Sequence, residues 1–268
     1  MVPDTVWVDR GRGRPDRYRD DAEALAVIER IAERVPIVPH SIGLSIGSAH
    51  AFDHEHVRQV RRWCARFECP WHSDHLSYNR AEHGDGAEVN VGMTLPVAHD
   101  DEMLELLAPR VAEVLRTNPA PFALENNVYY VRLADAPYDE PAFLNELSAR
   151  TGCWLLLDLH NIYVNERNGG VPARSFLEGL DLERVIELHV AGGEQHGDFY
   201  LDSHSGPTPA PVIELLEWTL PRCPSLGGVT YELVGSWFER MGPDGLEAEL
   251  ARLRGLWRDA RAGSPAAA

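Results

Sequence analysis

A chain of 268 residues with 44% hydrophobic content carries enough apolar material for a full core, and its length suits one large α/β barrel or two small domains. Its formal net charge of −17, from 42 acidic against 25 basic residues, argues against a nucleic-acid partner and suits a protein that takes up cations. No apolar run reaches the roughly 18 residues of a membrane helix, and Asp9, Arg10 and Arg12 break up any signal-peptide core.

In chain order, residues 5–9 (Thr-Val-Trp-Val-Asp) read as a short strand and Gly11 to Asp16 as a polar loop. Ala24, Val27, Ile28 and Ile31 recur at helical spacing and predict an apolar face on a helix over about Asp20–Arg34. Val35–His40 reads as a strand ending in histidine, and Ser41–Ser48 as a glycine-bearing loop. Asp53 caps a helix of about 14 residues. Pro70–Leu76 is the next strand, followed by a polar loop with Gly84-Asp85-Gly86 and a long helix over Asp100–Arg116.

Phe122–Glu125 is a short strand. Pro141 and Gly152 bracket a helix, one at its start and one past its end. Cys153-Trp-Leu-Leu-Leu-Asp158-Leu-His-Asn161 then runs from apolar residues straight into polar ones, the pattern of a strand buried on both faces. A helix over Ala173–Leu180, a strand over Val185–Val190, a helix over Pro211–Leu220, a strand over Gly228–Glu232 and a helix over Leu246–Ala260 complete the chain. Residues 262–268 read as a flexible tail, and the whole as a single barrel domain over 1–268. Strands alternating with helices imply βαβ units and a parallel sheet, and the length favours a TIM-type (β/α) barrel. No GxGxxG follows the first strand, which counts against a dinucleotide site. Cys64, Cys69, Cys153 and Cys223 form no CxxC pair, so reduced thiols in a cytoplasmic protein are expected.

Barrel chemistry sits at the C-terminal ends of the strands. Those ends carry His40, Asp74, His75, Glu125, Asn126, Asp158, His160, Asn161, Glu187, His189 and Glu232, and one loop adds Asp202 and His204. Singly, each has an ordinary explanation as a core histidine, a salt-bridge partner or a turn residue. Jointly, imidazoles and carboxylates without thiolate make a nitrogen/oxygen site for iron, manganese or zinc. The donors exceed what one ion can use, so two or three metals are expected, with Glu125 a candidate bridge. His50, His54, His56, His72, His83, His99 and His196 read as solvated or loop residues, and Asp53 as a helix cap alone.

At these positions the chain resembles the multinuclear non-haem iron-dependent oxidative enzymes. The segments that carry the resemblance are Pro39–Ser48, Ser73–Tyr78, Leu124–Asn126, Leu156–Val164, Glu187–Gly192, Asp202–His204 and Tyr231–Glu232. The resemblance implies a xylose-isomerase-like TIM barrel with two or three irons. It assigns His40, His75 and Glu125 to one iron, and Glu125, Asp158, His189 and Glu232 to a second. Asn161, Asp202 and His204 complete a third, more labile position. Asp158, His189 and Asp202 are the catalytic residues it implies, and Tyr78, Tyr163 and Ser45 would line the channel. It further implies oxidative modification of a ribosomally made precursor peptide, often at cysteine, with dioxygen as co-substrate and a small leader-binding partner protein. The chain departs from the family in having Asp74 where glutamate is usual and His160 where asparagine is usual. The family's first strand has no counterpart, and residues 1–16 match poorly. Two alternatives stand beside this reading: a metal-dependent hydrolase or sugar isomerase on the same barrel, and a non-catalytic degenerate member.

Overall fold

The computed structural model describes residues 1–82, 84, 88–130 and 136–262. His83, most of the loop expected around Gly84-Asp85-Gly86 and residues 263–268 lie outside the described residues. The chain divides into two compact units, Met1–Glu125 with Ala149–Cys153, and Asn126–Ser148 with Trp154–Ala268.

In the first unit, β1 (Trp7–Asp9) and β2 (Tyr18–Asp20) pair antiparallel. The strand expected at residues 5–9 is therefore one arm of a hairpin. Helix α1 (Ala22–Ala32) is capped by Asp21, whose carboxylate accepts from the N–H groups of Glu23 and Ala24. Its apolar face differs from expectation. Val27 and Ile31 are 44% and 42% exposed, while Ala24, Leu25 and Ile28 pack against a core of Val6, Trp7, Val60, Trp63, Cys64 and Cys69. The strand expected over Val35–His40 shortens to β3 (His40–Ser41). Just before it, the Met1 carbonyl accepts from the His40 N–H at 2.8 Å, and the Met1 ammonium donates to the Val38 carbonyl at 2.8 Å.

Helix α2 (His54–Phe67), β4 (His72–His75), β5 (Ser77–Glu82), β6 (Glu88–Pro96), α3 (Asp101–Thr117) and β7 (Phe122–Glu125) follow. Strands β3, β4 and β7 run parallel in that order, with His40 beside Ser73 and His75 beside Glu125. The antiparallel β5–β6 hairpin falls where only a polar loop was expected. Val89, Val91, Met93 and Leu95 alternate along β6 as in a strand, yet Val89, Val91 and Met93 are exposed, so the alternation faces no core. Asp53 caps α2 as expected, but it also forms a buried ion pair with Arg17 at 2.7 Å and accepts from Arg80 at 2.9 Å.

Two histidines expected in solvent are buried instead. His56 is 1% and His72 3% exposed. The His72 ring stacks on Phe122 at 4.9 Å, and burial pushes its pKa down from 6.5 to about 3. An unfolded chain thus protonates this imidazole at a higher pH than the folded protein does. Stability is expected to fall as pH drops from about 6.5 towards 3, with His72 contributing a slope of up to about 1.4 kcal/mol per unit. Urea melts across that range should show one proton less of dependence in His72→Phe; an unchanged slope would remove His72 as the cause.

Helix α4 (Glu140–Thr151) precedes β8 (Trp154–Asp158), the buried strand read from the Cys153–Asn161 run. In the second unit, α5 (Leu159–Arg167), α6 (Ala173–Gly179), β9 (Val185–Ala191), β10 (Glu194–His196), β11 (Phe199–Leu201), α7 (Ala210–Thr219), β12 (Gly228–Glu232) and α8 (Gly235–Ala262) follow. Strands β8, β9 and β12 are parallel in that order, with Asp158 beside His189 and His189 beside Thr230. Helix α5 was not expected. It starts on the residue after the strand because Asp158 is itself the cap, accepting the Asn161 N–H at 2.8 Å. The short β10–β11 hairpin was also not expected. Helix α8 is two helices meeting at Gly242, whose φ of 69° is non-helical. All four cysteines are free and buried. Among the described residues no helix is long and apolar enough to cross a membrane.

Candidate metal centre

In the first unit, donor atoms of His40, His75 and Glu125 lie within 4.8 Å of one another. The strand register explains this: His75 and Glu125 are lateral neighbours on β4 and β7, and His40 stands beside Ser73 one strand further on. Both imidazoles present Nε2 to the same carboxylate oxygen, Glu125 Oε2, each at 3.2 Å. Their other ring nitrogens are held elsewhere. His75 Nδ1 donates to the Ser41 carbonyl at 3.1 Å, and His40 Nδ1 is bonded to Ser73 Oγ at 2.9 Å. With its proton on Nδ1, neutral His75 turns a lone pair towards a carboxylate oxygen. Two such acceptors at this distance call for a cation between them. Glu125 is 1% exposed, so water does not meet that need.

Asp74 does not join this group. Alternation along β4 puts Ser73 and His75 on one face and His72 and Asp74 on the other. Asp74 instead lines a cavity of about 10 Å³ with Ser41, Leu44, His56 and His72. Burial, with Asp4 and Glu125 adding repulsion, raises its pKa well above the usual carboxylate range.

The second unit repeats the arrangement of an imidazole held at one nitrogen. His189 Nε2 donates to Glu187 Oε1 at 3.2 Å, and Thr230 Oγ1 donates to that same oxygen at 2.7 Å. The His189 proton is thereby fixed on Nε2, and Nδ1 faces Glu232 Oε2 at 3.5 Å. Glu232 Oε2 is also 3.4 Å from His204 Nε2, which lies 3.1 Å from Asp202 Oδ1. His189, Glu232, His204 and Asp202 thus form one linked chain of donors.

Asp158 and Asn161 are tied to each other and to Asn126. The Asp158 N–H donates to Asn126 Oδ1 at 2.7 Å, and the Asn161 amide donates to the Asn126 carbonyl at 3.0 Å. Asn161 Oδ1 is buried with no hydrogen-bond partner among the described residues, as befits an oxygen kept for a cation.

His204 has a left-handed φ of 47°, a strained conformation for a histidine. The Val234 N–H donates to its carbonyl at 3.0 Å, and the next N–H, of Ser205, donates to the Gly192 carbonyl at 2.8 Å, so both sides of the residue are locked. Burial disfavours a charged His204, but the hydrogen bond and charge of Asp202, with Glu232 and Asp158, outweigh it and push its pKa up to about 9. Burial would raise Asp202, yet bonds to His160 and His204 hold it well below the usual range.

His160 serves Asp202. Its Nδ1 lies 3.0 Å from Asp202 Oδ1, and a Cβ added to Gly193 would lie 2.7 Å from its Nε2. That nitrogen is buried near the Gly193 backbone and has no hydrogen-bond partner among the described residues. The Tyr130 hydroxyl holds Asp202 from another side, 2.8 Å from its N–H.

Ser73, Thr230 and Tyr130 were absent from the donors read from the sequence, and Glu187, which was among them, here supports His189. Three of the four carried a signal: Ser73 with His75, Glu187 with His189 and Thr230 with Glu232 are spaced two apart on a strand, and so share a face. Tyr130 reaches Asp202 across 72 positions of sequence and carried none. Of the residues read as channel-lining, Ser45 and Tyr163 hold protein partners: Ser45 accepts the Asn79 N–H at 2.8 Å, and Tyr163 packs edge-on against Tyr200.

Residues 14–232 match the family model described as RiPP precursor modification enzyme MbnB/TglH/ChrH. A UPF0276 protein of Caulobacter vibrioides is 33% identical over 261 residues, covering 96% of this chain and 85% of that protein. Among solved structures, an L-ribulose 3-epimerase is similar with a TM-score of 0.57 at 14% identity, over 92% of this chain and 82% of that one. A xylose isomerase-like TIM barrel protein from Mycobacterium smegmatis, solved with magnesium, is similar with a TM-score of 0.55 at 14% identity, over 88% of this chain and 78% of that one. At such identity the likeness is one of fold, and the fold is the α/β, xylose-isomerase-like TIM barrel expected from the sequence.

Proposed function

The chain belongs to the MbnB/TglH/ChrH family of RiPP precursor modification enzymes, and from that premise we propose that it is an iron-dependent oxidative enzyme acting on a ribosomally made peptide. The proposed reaction is at a substrate cysteine, with dioxygen as co-substrate and two or three irons as cofactor. A small leader-binding protein is the proposed partner, and the cytoplasm the proposed compartment. The observation that carries the reading is the pair of oriented imidazoles, His40 and His75, aimed at one oxygen of Glu125.

His40, His75 and Glu125 would hold one ion, and Asp158, His189 and Glu232 would hold another. Asn161, Asp202 and His204 would hold a third. The donor set fits iron: nitrogen and oxygen ligands, no thiolate, and room in its chemistry for a substrate thiolate as the sulfur donor. Bound iron supplies the redox chemistry with dioxygen that no side chain here can perform. The protein's own groups do the remainder. The Ser41 carbonyl and Glu187 keep His75 and His189 in one tautomer, and Ser73 holds the orientation of the His40 ring. When no ion occupies that third position, His204, between Asp202 and Glu232, is placed to hold a proton at Nε2.

The test is anaerobic purification with iron, elemental analysis, and dioxygen uptake in the presence of a cysteine-containing peptide encoded beside the gene. Uptake coupled to a mass change at the cysteine is expected. Turnover of a sugar or phosphodiester without dioxygen would replace this reading with the isomerase or hydrolase alternative.

A further inference from the structure

Beside Asp202 lies a group that the metal centre does not use. The His160 ring, bonded to Asp202 at 3.0 Å, meets the Tyr200 ring edge-on at 6.1 Å. Tyr200 meets Tyr163 edge-on at 5.4 Å, and the Arg167 guanidinium lies over both, 5.2 Å from the Tyr200 ring centre and 5.9 Å from that of Tyr163. Arg167 is exposed. It donates to the Tyr163 hydroxyl at 3.1 Å and to Gln195 Oε1 at 3.2 Å. Both acceptors are neutral, and among the described residues Arg167 forms no ion pair. Arg174, in the next helix, is by contrast paired with Glu178 at 2.9 Å.

A planar cation stacked on aromatic faces and steadied by two neutral acceptors is pre-organised, and three of its five N–H groups remain to be offered. Such an arrangement takes a carboxylate in two parallel hydrogen bonds. Arg222 over Trp218 and Arg240 over Trp237 are stacked alike; what sets Arg167 apart is that its Tyr200 shelf meets the His160 ring that is bonded to Asp202.

Resting on the peptide reading above, we propose that Arg167, on its Tyr163–Tyr200 shelf, is a substrate subsite that binds a carboxylate of the peptide. That carboxylate is an acidic side chain or the chain end, and it lies within a few residues of the reacting one, at roughly 3.4 Å of extended chain each. The tyrosine faces receive the intervening residues. Arg167 fixes the register of the peptide, and so which residue reaches the metals.

The experiment uses iron-loaded protein without dioxygen and synthetic peptides that each carry one cysteine. One is amidated and neutral, one has a free C-terminus, and one is amidated with a single glutamate. Wild type should bind the carboxylate-bearing peptides about 5- to 20-fold more tightly than the neutral one. The larger gain identifies which carboxylate is read. In Arg167→Ala the three peptides should bind alike, and in Arg167→Lys the gain should be partial. Iron content and melting temperature should match wild type in both variants. Equal binding of the three peptides by wild type, or a gain that survives Arg167→Ala, overturns the subsite and leaves the peptide reading standing. Loss of iron in Arg167→Ala overturns it too, by making the residue a prop for the centre. Failure of any peptide to bind brings down the peptide reading and the subsite together.

Discussion

Glu125→Ala is expected to lose tightly bound iron and all peptide-dependent dioxygen uptake, while the metal-free protein stays folded. Glu125 is buried, and two imidazole nitrogens converge on one of its oxygens at 3.2 Å. Without a cation that geometry sets the His75 lone pair against a buried negative charge, a cost that removing the carboxylate relieves. With a cation the same geometry is favourable. Wild type should therefore gain melting temperature when ferrous iron is added, by roughly 5 °C or more at saturating metal, because iron binds only the folded chain. Glu125→Ala should show no such gain, and its iron affinity should fall by at least about 100-fold. Calorimetry with and without iron separates the two effects. Iron content equal to wild type in Glu125→Ala, His40→Ala and Asp158→Ala together would end the assignment of these residues as ligands.

The second large effect is expected at Gly192, which contributes no chemistry. A Cβ there would lie 1.8 Å from the Ser205 carbonyl oxygen and 2.6 Å from that of Gly206. Both obstacles are backbone, so no side chain can swing aside. The same stretch is anchored by the Ser205 N–H donating to the Gly192 carbonyl, and it carries Asp202 and His204. Gly192→Ala must therefore push the loop off β9 or prevent it from closing. Overpacking with no rotamer escape costs about 3 kcal/mol, which corresponds to roughly 6–12 °C in melting temperature for a chain of this size. Any protein that does fold should retain less iron at the Asp202–His204 end. Gly193→Ala should also destabilise, since its Cβ would meet the Leu201 carbonyl at 2.5 Å and His160 Nε2 at 2.7 Å. A Gly192→Ala protein that melts within about 1 °C of wild type would show that the loop is not held as described.

Elements with a strong local signature were legible from the chain alone. The apolar run into Asp158 is β8, Phe122–Glu125 is β7, and Pro141 and Gly152 bracket α4. The donors could be named because an imidazole or carboxylate at the end of a buried strand is costly unless it has work to do. Other features left weak traces. The β2, β5, β10 and β11 strands are short or solvated and carry little apolar pattern, while β6 alternates Val89, Val91, Met93 and Leu95 but turns Val89, Val91 and Met93 to solvent. Helix α5 was hidden because the residue that ends the strand also caps the helix, and one aspartate cannot advertise both roles in sequence. His56 and His72 read as surface residues, yet neighbours distant in the chain bury them.

What the sequence by itself determined is therefore the alternation of buried strands and helices and the candidate donor groups at the strand ends, because both rest on local pattern and on the chemistry of residue types. What only the tertiary structure decided is the arrangement of those groups. The β4–β7 register sets His75 beside Glu125, and the β8–β9 register sets Asp158 beside His189. Hydrogen bonds to the Ser41 carbonyl and Glu187, and one with Ser73 Oγ, orient the imidazoles and choose which nitrogen His75 and His189 present. Pleat direction removes Asp74 from its neighbour His75, and a single hydrogen bond makes His160 the partner of Asp202. Register, tautomer and face depend on residues brought together across tens of positions, and no local pattern encodes such a meeting.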